Sequence, residues 1–170
     1  SAIHELAAQI AAIERLQDLT RGVSVNVGVV SGGTRPNVVA QEARAVIDVR
    51  APVRGAADAV DAAIRGLQPV HPGTRLTIRG GFDRPPMERT AAGVRLFEKA
   101  HAVAAALGYE LGEGATGGGS DGNFTAALGM PTLDGLGPIG DGAHAAHEHV
   151  DVSALPWRAA LVAGLIAALE

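Results

Sequence analysis

Three of the chain's six histidines lie within six residues, at His144, His147 and His149. The carboxylates of Asp141 and Glu148 lie in the same glycine-rich segment. Imidazole and carboxylate suit zinc, cobalt or manganese, and the chain has no cysteine to supply a thiolate. A helical zinc motif, with two histidines four residues apart and a glutamate between them, is absent. The spacing predicts a three-histidine site, or one ligand with two bystanders; in a third interpretation the histidines only bind the backbone.

A run of three glycines, Gly117 to Gly119, comes directly before Ser120 and a predicted helix at residues 121–128. Backbone N–H groups and the helix dipole favour an anion at such a place, either phosphate or carboxylate. The run is not a phosphate-binding loop, because no Gly-Lys-Ser/Thr follows it. It also lacks the glycine spacing of a dinucleotide-binding turn. A nucleotide-binding domain is therefore the least favoured interpretation.

Three further polar residues stand at the ends of predicted elements. Asn37 ends a glycine-rich loop, Arg50 ends the strand after it, and Arg84 precedes two prolines. A guanidinium group binds a carboxylate through two parallel hydrogen bonds, so the arginines are candidates for holding a substrate anion. The alternative for each is a solvated surface charge, and Arg50 could instead pair with Asp48 or Glu42.

The composition limits the classes of partner. Apolar residues make up 47% of the chain and aromatic residues only 3%, which predicts an aliphatic core. The net charge of −4, without a basic cluster, argues against nucleic-acid binding. No apolar run approaches the length of a membrane span. Of the 14 basic residues, 13 are arginine, and together with abundant alanine and glycine this is typical of a GC-rich bacterial genome.

Periodicity in the first half predicts the elements that position Asn37 and Arg50. Apolar spacings of three and four indicate helices, and alternation indicates strands. The predicted order is α-β-β-α-β: helix 2–17, strand 23–30, strand 38–49, helix 55–68 and strand 74–79. One additional strand at the front would complete a ferredoxin-like β-α-β-β-α-β sandwich. We therefore expect residues 1–82 to form such a domain without its first strand, and the chain to be a piece of a longer protein.

The second half has a different character. The two prolines after Arg84 do not suit a central strand, and a domain boundary is predicted near Phe82. Helices are predicted at 90–107, 121–128 and 155–169, with strands at 109–113 and 131–136. Strands that alternate with helices predict an α/β layer. Residues 83–170 should thus hold the glycine run and the histidine loop at the ends of its elements.

Taken together, the motifs resemble those of the M20 family of zinc-dependent exopeptidases, in particular its glutamate-carboxypeptidase branch. They match in order and spacing over nearly the whole chain. The matching segments are Arg-Pro-Asn at 35–37, Asp-Val-Arg at 48–50, Arg-Pro-Pro at 84–86, Gly-Gly-Gly-Ser-Asp-Gly-Asn-Phe at 117–124, Pro-Thr-Leu-Asp-Gly-Leu-Gly-Pro at 131–138 and Gly-Ala-His-Ala-Ala-His-Glu-His-Val at 142–150.

The resemblance implies a fold and a metal ligand. Residues 1–82 resemble the family's lid, a ferredoxin-like dimerisation domain, and residues 83–170 resemble the C-terminal part of an α/β catalytic domain that holds two metal ions. The histidine that is followed four residues later by glutamate is the family's C-terminal metal ligand. In this chain that histidine is His144, with Glu148 in the companion position. His147 lies at a position that varies in the family and inherits no role.

The resemblance also implies substrate contacts. Arg84 corresponds to an arginine that grips the terminal carboxylate of the substrate. Asn37 corresponds to a lid residue that can reach the neighbouring subunit's active site, and Arg50 to a second lid arginine. The backbone of Gly119 and Ser120 is expected to line the substrate pocket.

Most of the family's catalytic groups have no counterpart in these 170 residues. They are a His-x-Asp pair, adjoining glutamates of which one is the general base, a further acidic ligand and a lid histidine. One imidazole cannot hold two metal ions or activate a water molecule. We therefore expect no hydrolase activity from the chain by itself.

The intact protein is expected to be a dinuclear zinc exopeptidase or amidohydrolase, with cobalt or manganese as alternatives to zinc. Its substrate would be a small peptide or an N-acyl amino acid, cleaved at the amide bond beside a free carboxylate. We expect a homodimer formed through the lid, no nucleic-acid or membrane partner, and a bacterial cytoplasmic rather than periplasmic location. The alternative is a non-catalytic binding or dimerisation module with the same fold.

Overall fold

The computed structural model describes residues 1–169. The chain divides into two compact units, Ser1–Glu88 and Arg89–Glu170. The fold class is α+β, with helices and two small antiparallel sheets. None of the helices in residues 1–169 is both long enough and apolar enough to cross a membrane.

The first unit contains two helices and a β-hairpin. The elements are α1 (Ala2–Glu14), a 3-10 turn (Leu19–Arg21), β1 (Ser24–Gly32), β2 (Ala43–Arg50) and α2 (Arg54–Arg65). The strands pair antiparallel from Ser24–Arg50 to Gly32–Ala43, with a bulge at Gly28. The helices and the hairpin predicted for this half are therefore confirmed.

The core of this unit consists of aliphatic side chains, as the composition predicts. Ile13, Val23, Val25 and Val60 are buried. Partly buried residues from both helices and both strands pack against them: Leu16, Val27, Ile47, Val49, Ala56, Ile64 and Leu67. Both helices thus cover the same face of the hairpin, because their apolar stripes can be removed from water only there.

The strand predicted at residues 74–79 is wrong. Thr74, Leu76 and Ile78 are half-buried and alternate with exposed neighbours, so the inward and outward pattern is as predicted. A strand also requires a neighbouring backbone for its hydrogen bonds. Among residues 1–169 no strand pairs with this segment, and the sheet of the first unit contains only β1 and β2.

A buried carboxylate fixes the path of the chain after α2. Glu5, in α1, is 3% exposed. Its oxygens accept hydrogen bonds from the N–H groups of Val70 (3.0 Å) and His71 (2.8 Å), from Thr74 Oγ1 (2.9 Å) and from Gln9 Nε2 (2.6 Å). These bonds, chiefly that from Gln9, hold the pKa of Glu5 well below its usual value of 4.5. The carboxylate thereby joins the segment after α2 to α1.

The second unit contains three helices and one short hairpin. The elements are α3 (Ala91–Ala106), α4 (Gly122–Ala127), β3 (Gly140–Asp141), β4 (His149–Val150), a 3-10 turn (Val152–Ala154) and α5 (Leu155–Ala167). The three predicted helices are confirmed. The strands predicted at 109–113 and 131–136 do not form, because no neighbouring strand in residues 1–169 supplies a hydrogen-bonding partner.

Helices α3 and α5 pack closely against each other. Ala100 and Ala104 of α3 and Leu161 of α5 have no exposed surface. A Cβ atom at Gly164 would lie 2.6 Å from Val103 Cγ1, which is inside van der Waals contact. Glycine at 164 is therefore what permits this separation of the two helices, and small residues on α3 complete the contact.

Candidate functional site

The histidine segment forms a small hairpin. Strands β3 and β4 pair Gly140 with Val150 and Asp141 with His149. The N–H of Asp151 donates to the carbonyl of Ile139 (2.8 Å) and continues the pairing by one step. The loop that connects the two strands contains His144 and Glu148, and both residues are exposed.

His144 has an unusual backbone conformation. Its φ is +66°, and it is the one non-glycine residue with a positive φ in residues 1–169. Its N–H donates a hydrogen bond to Glu148 Oε2 at 3.3 Å. A left-handed residue other than glycine costs on the order of 1–3 kcal/mol, and such residues concentrate at functional sites. The pair that the family motif singles out is thus in direct contact.

The other two histidines have different surroundings. A Cβ atom at Gly142 would lie 2.6 Å from His147 Cδ2, so the His147 ring packs against the bare backbone of that glycine, which has a φ of +74°. His149 Nδ1 lies 3.1 Å from the carbonyl oxygen of His147. Within residues 1–169, no three histidine or carboxylate side chains converge to hold a metal ion. The structure of these residues therefore does not bring the three histidines together into one site.

A single imidazole at His144 does fit a metal such as zinc, for which neutral histidine is a preferred ligand. The His144 side chain is exposed, and the hydrogen bond with Glu148 is donated by the main-chain N–H of His144. A complete ligand set requires three or four donors. Within the described residues, no three histidine or carboxylate side chains lie close enough to form one. His144 as one ligand among several remains a prediction.

The glycine run leads into a self-capped turn. Ser120 Oγ accepts from the N–H of Gly122 (3.1 Å), and Asn123 Oδ1 accepts from the N–H of Ser120 (2.8 Å). These reciprocal bonds satisfy donors at the start of α4, as in a capping box. The helix has only six residues. The N–H of Ser120 is therefore engaged within the turn, and anion binding at Gly119 and Ser120 remains a prediction.

Asn37 and Arg50 lie at exposed positions of the first unit. Asn37 is in a turn in which the N–H of Val38 donates to the carbonyl of Arg35 (3.2 Å). Arg50 is the last residue of β2, and its Nε donates to Asp48 Oδ2 at 2.9 Å. Of the two partners considered for Arg50, the structure shows this pairing with Asp48. Both side chains of the pair are more than half-exposed, so water screens their attraction.

Arg84 lies in a bend, and Glu88, four residues further along, is hydrogen-bonded to helix α2. Arg84 is exposed and has a contact within the described structure. Glu88 Oε1 accepts a hydrogen bond from the N–H of Arg54 (2.6 Å), the first residue of α2. A carboxylate at a helix N-terminus is favoured by the free N–H groups and the dipole. This contact joins the segment after Arg84 to α2.

Arg158, in α5, was not identified from the sequence. It is 8% exposed, its Nε donates to the carbonyl of Gly137 at 2.6 Å, and Nη2 donates to the carbonyl of Gly135. One signal could have found it. Ala154, Arg158, Leu161 and Leu165 are spaced by four, three and four residues and share the buried face of the helix region. A cation at a core position of an amphipathic helix indicates a specific partner.

Comparison with known proteins identifies the family. Residues 1–68 match the M20 family's peptidase dimerisation domain. The chain is 30% identical over 155 residues to carboxypeptidase G2 from Pseudomonas sp. (strain RS-16), an alignment that covers 89% of this chain and 37% of that relative. The dimerisation domain of this family has a ferredoxin-like fold. Residues 1–68 therefore belong to the M20 peptidase dimerisation-domain family, and the chain as a whole is similar to a carboxypeptidase.

Proposed function

We propose that this chain contributes the lid and the C-terminal part of the catalytic domain to a dinuclear zinc-dependent exopeptidase or amidohydrolase. The similarity to a carboxypeptidase supports the reaction class, hydrolysis of a peptide or N-acyl amide bond beside a free carboxylate. The left-handed conformation of His144, in contact with Glu148, is the observation that carries the proposal. It is the kind of backbone strain that is retained where a side chain must be presented in one direction.

The chain's own part in metal binding is one imidazole. His144 would hold one of two zinc ions, with cobalt or manganese as alternatives, and zinc when bound supplies a Lewis acid and an activated water molecule. The Glu148 carboxylate accepts the His144 N–H and limits the movement of the loop tip. Since one imidazole does not hold two ions, we propose that the 170 residues alone do not catalyse hydrolysis.

The substrate's carboxylate would be bound by arginine. Arg84 is the proposed principal contact, because its planar guanidinium matches a carboxylate with two hydrogen bonds. Arg50 and Asn37 are proposed to assist, and the Arg50–Asp48 pair is exposed enough for a substrate carboxylate to compete with Asp48. The backbone of Gly119 and Ser120 is a further proposed substrate contact. The substrate class is a small peptide or an N-acyl amino acid.

Self-association through residues 1–68 is part of the proposal. Strand β1 has nine residues, none of them charged, and Val29 and Val30 are 57% and 55% exposed. Edge strands that remain unpaired are usually protected by charged residues or proline. An uncharged edge with exposed valines in a domain of the dimerisation family supports pairing with a second copy.

The test is metal content and activity of the full-length natural protein with substitutions in the hairpin. His144→Ala should lose bound zinc and hydrolysis of an N-acyl glutamate, since it removes a ligand. His147→Ala is the matched control, because the His147 ring packs on Gly142 and has no proposed ligand role. Equal losses in the two variants would contradict the assignment of His144. A wild-type protein that dimerises but binds no zinc would instead be a non-catalytic binding module.

A further inference from the structure

The buried cation Arg158 has no part in the function proposed above. Its two hydrogen-bond acceptors are main-chain carbonyls, those of Gly137 and Gly135. Among residues 1–169 no carboxylate forms an ion pair with it. A buried charge without a counter-ion persists only if dipoles replace its lost hydration. Its hydrogen bonds to these carbonyls therefore constrain the segment that carries them.

The Arg158 guanidinium also contacts an aromatic ring. Arg158 lies on the helix face that includes the buried residues Leu161 and Leu165. Its Cζ is 5.1 Å from the ring centroid of Trp157, which stacks on Tyr109 with centroids 4.4 Å apart and an interplanar angle of 13°. A cation over an indole ring is attracted by the ring's quadrupole. The buried side chain of Arg158 and its contact with the stacked aromatic pair limit the directions in which the guanidinium can donate hydrogen bonds.

The two carbonyls belong to the conspicuous segment Asp134-Gly-Leu-Gly-Pro138, which leads directly into β3. Gly135 has a φ of +70°, and Gly137 lies three residues before Gly140, where the hairpin begins. Arg158 thus holds the chain at the entry to the histidine hairpin.

The exit of the hairpin is held to the same helix. Asp151 follows β4, and its N–H is bonded to the carbonyl of Ile139 across the base. The Asp151 carboxylate accepts from the N–H (2.9 Å) and the hydroxyl (2.6 Å) of Ser153, in the turn that opens into α5. Those hydrogen bonds, led by the Ser153 hydroxyl, lower the pKa of Asp151. Both ends of the hairpin are therefore fastened to the start of α5.

From this geometry we propose that Arg158 is a positioning residue that fixes the Gly135–Gly137 segment and, through it, the hairpin that presents His144. The role of the hairpin in metal binding rests on the function proposed above, but the restraint itself does not. The restraint acts through two carbonyl acceptors, so it requires the two N–H donors of the planar guanidinium group and not merely a positive charge.

The test compares Arg158→Gln, Arg158→Lys and the wild-type 170-residue chain by amide hydrogen exchange. Loss of charge-assisted hydrogen bonds should speed exchange at His149 and Asp151 by roughly tenfold or more in R158Q, while α3 amides at Ala100 and Ala104 keep their rates. R158K should show an intermediate increase, since an ammonium group can reach one carbonyl but does not reproduce the planar guanidinium group. Arg95→Gln, an exposed arginine of α3, is the matched control and should leave the hairpin unchanged.

A second readout follows the loop tip itself. The imidazole chemical shifts of His144 should change in R158Q and partly return toward wild type in R158K, whereas R95Q should leave them in place. Hairpin exchange within about twofold of wild type in R158Q, or an equal acceleration at Ala100 and Ala104, would overturn the proposal. Zinc content of the full-length protein separates the two ideas. Fast hairpin exchange without any zinc site in the wild type would refute the proposed function and retain the positioning role.

Discussion

The main-chain N–H of His144 donates to the carboxylate of Glu148, four residues further along, while His144 itself has a φ of +66°. The contact closes the tip of the β3–β4 hairpin on itself. A strained residue held by its own loop can be examined separately from any metal, because the strain affects folding and the imidazole affects binding.

Replacing His144 by glycine or by alanine should separate these two properties. Glycine adopts a positive φ freely, whereas alanine does not, so His144→Gly should be more stable than His144→Ala by about 1 kcal/mol. Both variants should lose the proposed zinc ligand equally. Urea denaturation measures the first effect and metal analysis of the full-length protein measures the second. Identical stabilities for the two variants would mean that the loop relaxes out of the left-handed conformation.

Arg84→Ala should impair recognition of the substrate's carboxylate. Loss of a bidentate pair should raise KM for carboxylate substrates by roughly tenfold or more, with a smaller change in kcat. Steady-state kinetics of the full-length protein with free-acid and amidated forms of one substrate provide the comparison. A similar rise in KM for both forms would show that Arg84 supports the fold of its bend and does not contact the carboxylate.

A charge on the uncharged edge strand should weaken self-association. Lysine at Val29 or Val30 would place like charges near each other in a two-fold interface, and a dimer that uses β1 should dissociate roughly tenfold or more readily. Sedimentation equilibrium of the full-length protein measures this. Val152→Lys is the control, because Val152 is 72% exposed in the second unit. An unchanged association constant in both β1 variants would place the interface elsewhere.

Glu5 should make stability depend on acid pH in one direction. Its folded pKa lies below the usual value of 4.5, so its contribution is complete well above pH 4.5 and is lost as the pH falls below that value. Wild type should therefore exceed Glu5→Gln in urea midpoint at pH 7, and the difference should shrink at pH 3. Glu14→Gln, an exposed site on the same helix, should show no such trend. A constant difference between wild type and E5Q at both pH values would exclude an ionised Glu5 as the cause.

Gly164→Ala should destabilise the second unit despite alanine's greater helix propensity. Alanine gains about 1 kcal/mol of propensity, but its Cβ would lie 2.6 Å from Val103 Cγ1, and overpacking costs about 1–3 kcal/mol. Gly55→Ala in α2 is the matched control, because nothing lies within 4 Å of its Cβ position. Thermal unfolding should lower Tm for the first substitution and preserve or raise it for the second. An increase for G164A would mean that α3 and α5 separate without cost.

The local pattern of apolar residues was enough to predict the helices and the β1–β2 hairpin. The apolar spacing of α1, α2, α3 and α5 and the alternation of β1 and β2 appear in the structure with shifted ends. The strand at 74–79 failed for a different reason. Its inward and outward alternation is present, but strand formation depends on a hydrogen-bonding neighbour that periodicity cannot supply.

The sequence by itself determined the resemblance to the M20 family and the helices, because motif spacing and periodicity can be read along the chain. The ligand role of His144 stays a prediction. Tertiary structure decided which polar groups are buried and what they hold. Glu5 binds N–H groups 65 and 66 residues away, and Arg158 binds carbonyls 21 and 23 residues before it. It also decided that the three loop histidines do not converge, since the left-handed turn at His144 and the packing of His147 on Gly142 give their rings different surroundings. Burial and direction arise only when distant segments meet, and the linear spacing of residues does not contain them.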